Sequence, residues 1–71
     1  MESQTKRILE HLQSGKSITP IDALNLFGCF RLSARIKDLR DDKFDIRTDI
    51  ETKEMPDGTI KRYARYWLND T

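Results

Sequence analysis

A proline directly after a threonine, and a glycine eight residues further on, set narrow limits on what this chain can build. Pro20 has no backbone N–H and a fixed φ, so it belongs in the first turn of a helix and not later. Thr19 before it offers the side-chain oxygen of an N-cap. Gly28 falls where that helix must stop, in the left-handed conformation that glycine adopts without strain. Beyond it Leu32, Ile36 and Leu39 recur at i, i+4 and i+7, one stripe of a second helix. Residues 19–40 therefore read as two short helices joined by a turn. That is a helix-turn-helix, whose second helix can enter a DNA major groove.

The segments around this unit complete the pattern. Ser3 to Gln13 reads as an earlier helix, with Ser3 as its cap and Thr5, Ile8, Leu9 and Leu12 at helical spacing. Gly15 ends it, and Ile18 bridges to the next helix as a very short strand. Helix two runs from Pro20 to about Phe27, with Ile21, Leu24 and either Phe27 or Ala23 toward the core. Helix three runs from near Arg31 to Asp42. Residues 44–50 then alternate, with Phe44, Ile46 and Ile50 on one side, the period of a half-buried strand. Met55-Pro56-Asp57-Gly58 is a hairpin turn, and Ile60 to Leu68 the returning strand. If Leu68 faces the core, so do Tyr66, Ala64 and Ile60, leaving Tyr63, Arg65 and Trp67 outside. Three helices and then a two-stranded hairpin is the order of an α+β winged helix-turn-helix, the hairpin being the wing.

Turn length refines this. A very short turn after Gly28 would put Ala34 and Lys37 at the next core positions, and Lys37 cannot serve there. A turn longer by two residues, holding Cys29 and Phe30, moves those positions to Ile36 and Leu39. The longer turn resembles winged helix proteins more than the tight phage repressors.

With 71 residues, the chain reads as a single domain over 1–71, near the lower limit for folding on one core. Hydrophobic residues make up 37% and charged residues 35%, the balance of a soluble globular chain. No apolar run approaches the ~20 residues that span a bilayer. No charged-then-apolar leader opens the chain, so the expected location is the cytoplasm, on the nucleoid or in an infected host cell. Cys29 and His11 are each the sole residue of their kind, which rules out an internal disulfide and a soft-metal site. Cys29 reads as a small buried residue of the turn. There is no nucleophile–base pair and no glycine-rich phosphate loop, so neither an enzyme, nor a cofactor, nor a small-molecule substrate is expected.

The net charge of +1 is small for a DNA-binding chain, but its distribution is uneven. Residues 31–47 hold Arg31, Arg35, Lys37, Arg40, Lys43 and Arg47 against Asp38, Asp41, Asp42 and Asp45. Residues 60–68 hold Lys61, Arg62 and Arg65 and no acid.

Thr19-Pro20, Ala23-Leu24, Phe27-Gly28, the run Arg31 to Arg40, Phe44-Asp45-Ile46 and the closing Arg65-Tyr66-Trp67-Leu68 together resemble a small helix-turn-helix family of winged helix type, common in phages and prophages. The resemblance covers roughly residues 3–68. It implies a DNA-binding transcriptional regulator.

On a helical wheel Ala34, Lys37 and Asp41 lie opposite the Leu32–Ile36–Leu39 stripe, with Phe30, Ser33 and Asp38 beside them. Ser33, Ala34 and Lys37 are the candidates for base edges: a hydroxyl for hydrogen bonds, a methyl for thymine, an ammonium for guanine N7 or O6. Arg31 and Arg35 are placed to clamp phosphates, and Lys61 and Arg62 are the candidates on the wing. Arg35 serves equally well as a partner of nearby acids. Arg40, at the helix C-terminus, reads as structural, paired with Asp38, Asp41, Asp42 or helix-two carbonyls. Tyr63 and Trp67 are candidates for a protein interface or for packing on the first helix. The expected partner is double-stranded DNA, with a homodimer or a larger protein partner adding affinity. The alternative is a winged helix module that docks on a host or phage protein. The near-neutral net charge and the acids at the end of helix three fit that alternative.

Overall fold

The computed structural model describes residues 3–69; the side chain of Ser3, and with it the cap expected there, lies outside the described part. The elements are α1 (Ser3–Gln13), α2 (Pro20–Phe27), α3 (Leu32–Asp41), β1 (Ile46–Glu54) and β2 (Ile60–Leu68).

Local chemistry fixes both ends of α2 and the end of α3. Thr19 Oγ1 accepts from the Asp22 N–H at 3.2 Å, and Asp22 Oδ2 accepts from the Thr19 N–H at 3.2 Å. This reciprocal box satisfies two amides at the start of α2, with Pro20 in its first turn. At the other end Gly28 sits at φ 64°, ψ 26°, and its N–H donates to Leu24 O at 3.0 Å. The turn then runs through a buried Cys29 and an exposed Phe30, the longer turn that the core spacing requires. α3 ends in a Schellman motif without glycine. Phe44 N–H donates to Leu39 O at 3.1 Å and Lys43 N–H to Arg40 O at 2.9 Å, while Lys43 takes a left-handed φ of 71°.

The core lies where the three helices meet the root of the hairpin. Ile8, Leu9 and Leu12 of α1, Ala23 of α2 and Leu32, Ile36 and Leu39 of α3 are buried together with Ile18, Cys29 and Ile46. Ile18 and Tyr66 exchange backbone hydrogen bonds at 2.9 and 2.8 Å, the short bridging strand expected there. β1 and β2 pair antiparallel from Ile46 opposite Leu68 to Glu54 opposite Ile60. Between them Gly58 N–H donates to Met55 O at 2.9 Å, with Gly58 at φ 87°. This is a tight turn followed by a left-handed glycine, matching the right-handed twist of the strands.

Three expectations about the core need correction. Ile21 is 61% exposed, because Ala23 supplies the buried face of α2 and Ile21 lies about 200° round the helix from it. β1 starts at Ile46 and not at Phe44, since the Phe44 amide closes the α3 terminus and its ring packs on the core edge. Ile50 and Ile60 are 61% and 69% exposed. Strands of nine residues run about 30 Å, and on the face that carries Ile46, Ile50 and Ile60 the core reaches only the root of the hairpin. That protrusion contributes to the 40 Å long axis of the molecule.

Candidate nucleic-acid interface

The burial of Leu32, Ile36 and Leu39 determines what α3 presents to solvent. With that stripe locked inward, Ser33 and Lys37 are exposed and lie one above the other at i, i+4. Ala34 is half-buried beside them. Arg31, exposed, occupies the position before the helix, and no side chain caps the α3 N-terminus. The start of the helix, where the dipole is positive, thus carries an exposed arginine, an arrangement that suits an anionic oxygen.

Arg35 is half-buried and its Nε lies 3.3 Å from Asp38 Oδ2. The pair neutralises one of the acids that count against DNA on this helix. Asp41 and Asp42 remain exposed, both at the C-terminal end. Arg40 is structural, as expected, but with partners that differ from the carboxylates and helix-two carbonyls anticipated. Its Nε and Nη2 donate to Ile46 O at 3.1 and 2.8 Å, and Nη2 donates to Thr48 Oγ1 at 2.8 Å.

On the wing, the register places Arg47, Asp49, Glu51 and Lys53 on one face with Trp67, Arg65, Tyr63 and Lys61. Most acids there are already occupied. Glu51 Oε1 accepts from Arg65 Nε at 2.6 Å, and Asp49 Oδ2 accepts from Trp67 Nε1 at 3.0 Å. Glu51 holds the Arg65 guanidinium above its usual pKa. At the tip Asp57 Oδ1 accepts from the Thr59 amide at 3.0 Å and from the Thr59 hydroxyl at 2.7 Å. These bonds lower the Asp57 pKa. Lys53 and Lys61, by contrast, stand directly opposite each other, and Arg62 follows. Like charges facing across a ladder are unfavourable on their own. Among the described residues Lys53, Lys61 and Arg62 make no ion pair.

Of the residues singled out in the sequence, Arg31, Ser33 and Lys37 share the exposed start of α3, with Ala34 and Arg35 half-buried at its margin. Lys61 and Arg62 line a groove whose other wall includes Phe30, the residue before Arg31. The groove thus joins the wing bases to the turn that launches α3. Tyr63 is half-buried within it, and not on a free outer face. Trp67 is 37% exposed and tied to Asp49 across its own hairpin. Lys53 and Met55, which are not among the candidates that the sequence singles out, line the same groove. The five-residue loop between Glu54 and Ile60 carries the missing signal, because it sets the register that puts Lys53 opposite Lys61. No helix among the described residues is long and apolar enough to cross a membrane.

The chain belongs to the family described as winged helix-turn-helix domain, whose family model matches residues 3–71. Membership points to DNA binding in general. No curated protein matches the sequence.

Proposed function

We propose that this winged helix-turn-helix domain binds double-stranded DNA sequence-specifically, as a transcriptional regulator of phage or prophage type acting in the cytoplasm on the nucleoid or on DNA in an infected host cell. The observation that carries the reading is the exposed pair Ser33 and Lys37 on a helix whose opposite stripe is buried. A helix held this way offers its first two turns to base edges. Lys37 reaches guanine, Ser33 donates or accepts, and the Ala34 methyl meets thymine. Arg31, the uncapped amides of α3, Lys61 and Arg62 bind phosphates, with Arg35 at the margin of the same helix. The acids Asp41 and Asp42 lie at the C-terminal end of α3, beyond the first two turns that enter the groove. A single small module covers only about 600–1,000 Å² of DNA-facing surface. High affinity therefore calls for a homodimer or a larger protein partner, with Trp67 an exposed aromatic of the wing available to it. The reading assigns the domain no cofactor, substrate or membrane.

The test is an NMR titration of the labelled domain with a random-sequence duplex, repeated across salt. The expected result is shifts at Arg31, Ser33, Lys37, Lys61 and Arg62 that fade steeply as salt rises. A spectrum unchanged at low salt removes the DNA reading.

A further inference from the structure

We infer that the groove between α2 and the wing is a docking site for an acidic segment of a partner protein that carries apolar residues at regular spacing. The groove encloses about 690 Å³, within the roughly 300–1,000 Å³ typical of ligand clefts. Its apolar lining comes from Ile21 and Leu24 of α2, Phe30 of the turn and Met55 of the hairpin loop. Ile21 and Phe30 are 61% and 86% exposed, far more than the core needs to leave uncovered.

The charge around this lining is one-sided. Lys53, Lys61, Arg62 and Arg65 line the groove against a single acid, Asp22. Asp22 is already engaged with the Thr19 amide, and Arg65 with Glu51 and Ser17. The facing lysines Lys53 and Lys61 are left for an incoming anion, with Arg62, opposite Thr52, at the margin of the same groove.

An occupant must satisfy both features. Duplex phosphates would neutralise the cations but give Ile21 and Met55 no apolar partner. A carboxylate-bearing segment with interleaved leucine, isoleucine or aromatic residues covers the apolar lining and pairs the wing bases together. The site stands apart from Lys37 and Ser33, but it uses Lys61 and Arg62. A bound segment therefore withholds the wing from DNA, which gives the partner a means of weakening duplex binding.

Three pools of synthetic peptides of one length test this by NMR titration: acidic with apolar residues, acidic with serine in their place, and basic with the same apolar residues. The acidic apolar pool is expected to shift Ile21, Phe30 and Met55, with the other two binding at least about tenfold more weakly. Ile21→Ser and Lys61→Glu, both at exposed positions, are expected to weaken that binding severalfold with an unchanged fold. Equal binding by the acidic serine pool, or no shifts from the acidic apolar pool, overturns the inference. So do shifts at Ile21 and Met55 on adding duplex, which would make the groove part of the DNA interface. Lys37→Glu should leave the peptide affinity unaltered and Ile21→Ser the duplex affinity, so failure here and failure of the DNA reading are distinguishable.

Discussion

The guanidinium of Arg40 donates twice to the carbonyl oxygen of Ile46, through Nε at 3.1 Å and Nη2 at 2.8 Å. The last turn of α3 is thereby tied to the first residue of β1. Nη2 extends the tie to Thr48 Oγ1 at 2.8 Å. The angle between the helix proposed to read bases and the wing depends on this clamp. Arg40→Ala is expected to cost about 1.5–3 kcal/mol, the range for hydrogen bonds to a charged group. A domain of this size loses about 4–8 °C in Tm per kcal/mol, so thermal melts followed by circular dichroism will show it. Arg40→Lys should recover only part, because an ammonium cannot present two parallel donors to one carbonyl.

Two left-handed residues make opposite predictions. Gly28 at φ 64° closes α2, and a Cβ added there meets nothing within 4 Å. Gly28→Ala therefore costs backbone strain alone, about 1–2 kcal/mol. Lys43 at φ 71° closes α3 in the same region but bears a side chain. Lys43→Gly should raise stability by up to about 1 kcal/mol, the strain relieved being partly offset by a freer unfolded chain. Urea denaturation of both variants tests the pair, and a stabilised Gly28→Ala would contradict the strain argument.

What was legible in the chain was its punctuation. Thr19, Pro20 and Gly28 each have one economical placement, and Leu32, Ile36 and Leu39 have one stripe. Together they gave the element order and the exposed face of α3. Ile21 was misplaced because α2 has only eight residues and is apolar at 21, 23, 24, 26 and 27, so periodicity singles out no face. Ile50 and Ile60 were misplaced because alternation shows which residues share a face but not how far that face is covered. The Arg40 tie to a backbone carbonyl leaves no trace in residue types, since every residue carries a carbonyl. The groove brings Ile21 to Met55 through the tertiary fold, and only the hairpin register was there to hint at it.

Acid should loosen the root of the hairpin. Asp45 accepts from Arg47 Nε at 2.9 Å, Arg47 Nη2 at 3.0 Å and Asn69 Nδ2 at 3.0 Å. The Arg47 hydrogen bond first, then that of Asn69, holds its carboxyl below the usual aspartate value. The folded pKa therefore lies under the unfolded one. The contribution is complete above the unfolded value, about 4, and is lost as pH falls through the folded one. Asp57, lowered by the Thr59 hydroxyl and amide, acts in the same direction at the tip. Melting curves from neutral pH downward should drop below pH of about 4, and less steeply in Asp45→Asn, which starts from a lower Tm. An equal acid slope in that variant would exclude Asp45 as a contributor.

Phosphate and base contacts predict different mutant signatures on DNA. On the proposed interface Arg31→Ala and Lys61→Ala would each remove one phosphate contact, so each should weaken binding to every duplex and lower the salt slope by about 0.9. Lys37→Ala would remove a base contact and should cost about 1–3 kcal/mol on the preferred site only. Binding isotherms over a salt series, on a selected site and on random duplex, separate the two. The double reversal Arg31→Glu with Lys37→Glu should abolish binding while the circular dichroism spectrum is unchanged.

Trp67 tests whether the domain acts alone. Its indole is 37% exposed, and Nε1 donates to Asp49 Oδ2 at 3.0 Å, so the ring is held at a fixed angle on the wing root. A rigid, partly exposed tryptophan loses little entropy on association and makes a strong anchor. If it joins two copies on DNA, the wild type will bind a two-site duplex with a steep concentration dependence and sediment as a dimer on it. Trp67→Ala will then bind as independent monomers, and Asp49→Asn, which releases the ring without removing it, will fall between them. Identical isotherms for wild type and Trp67→Ala would exclude Trp67 as the dimer contact and confine its role to the hairpin.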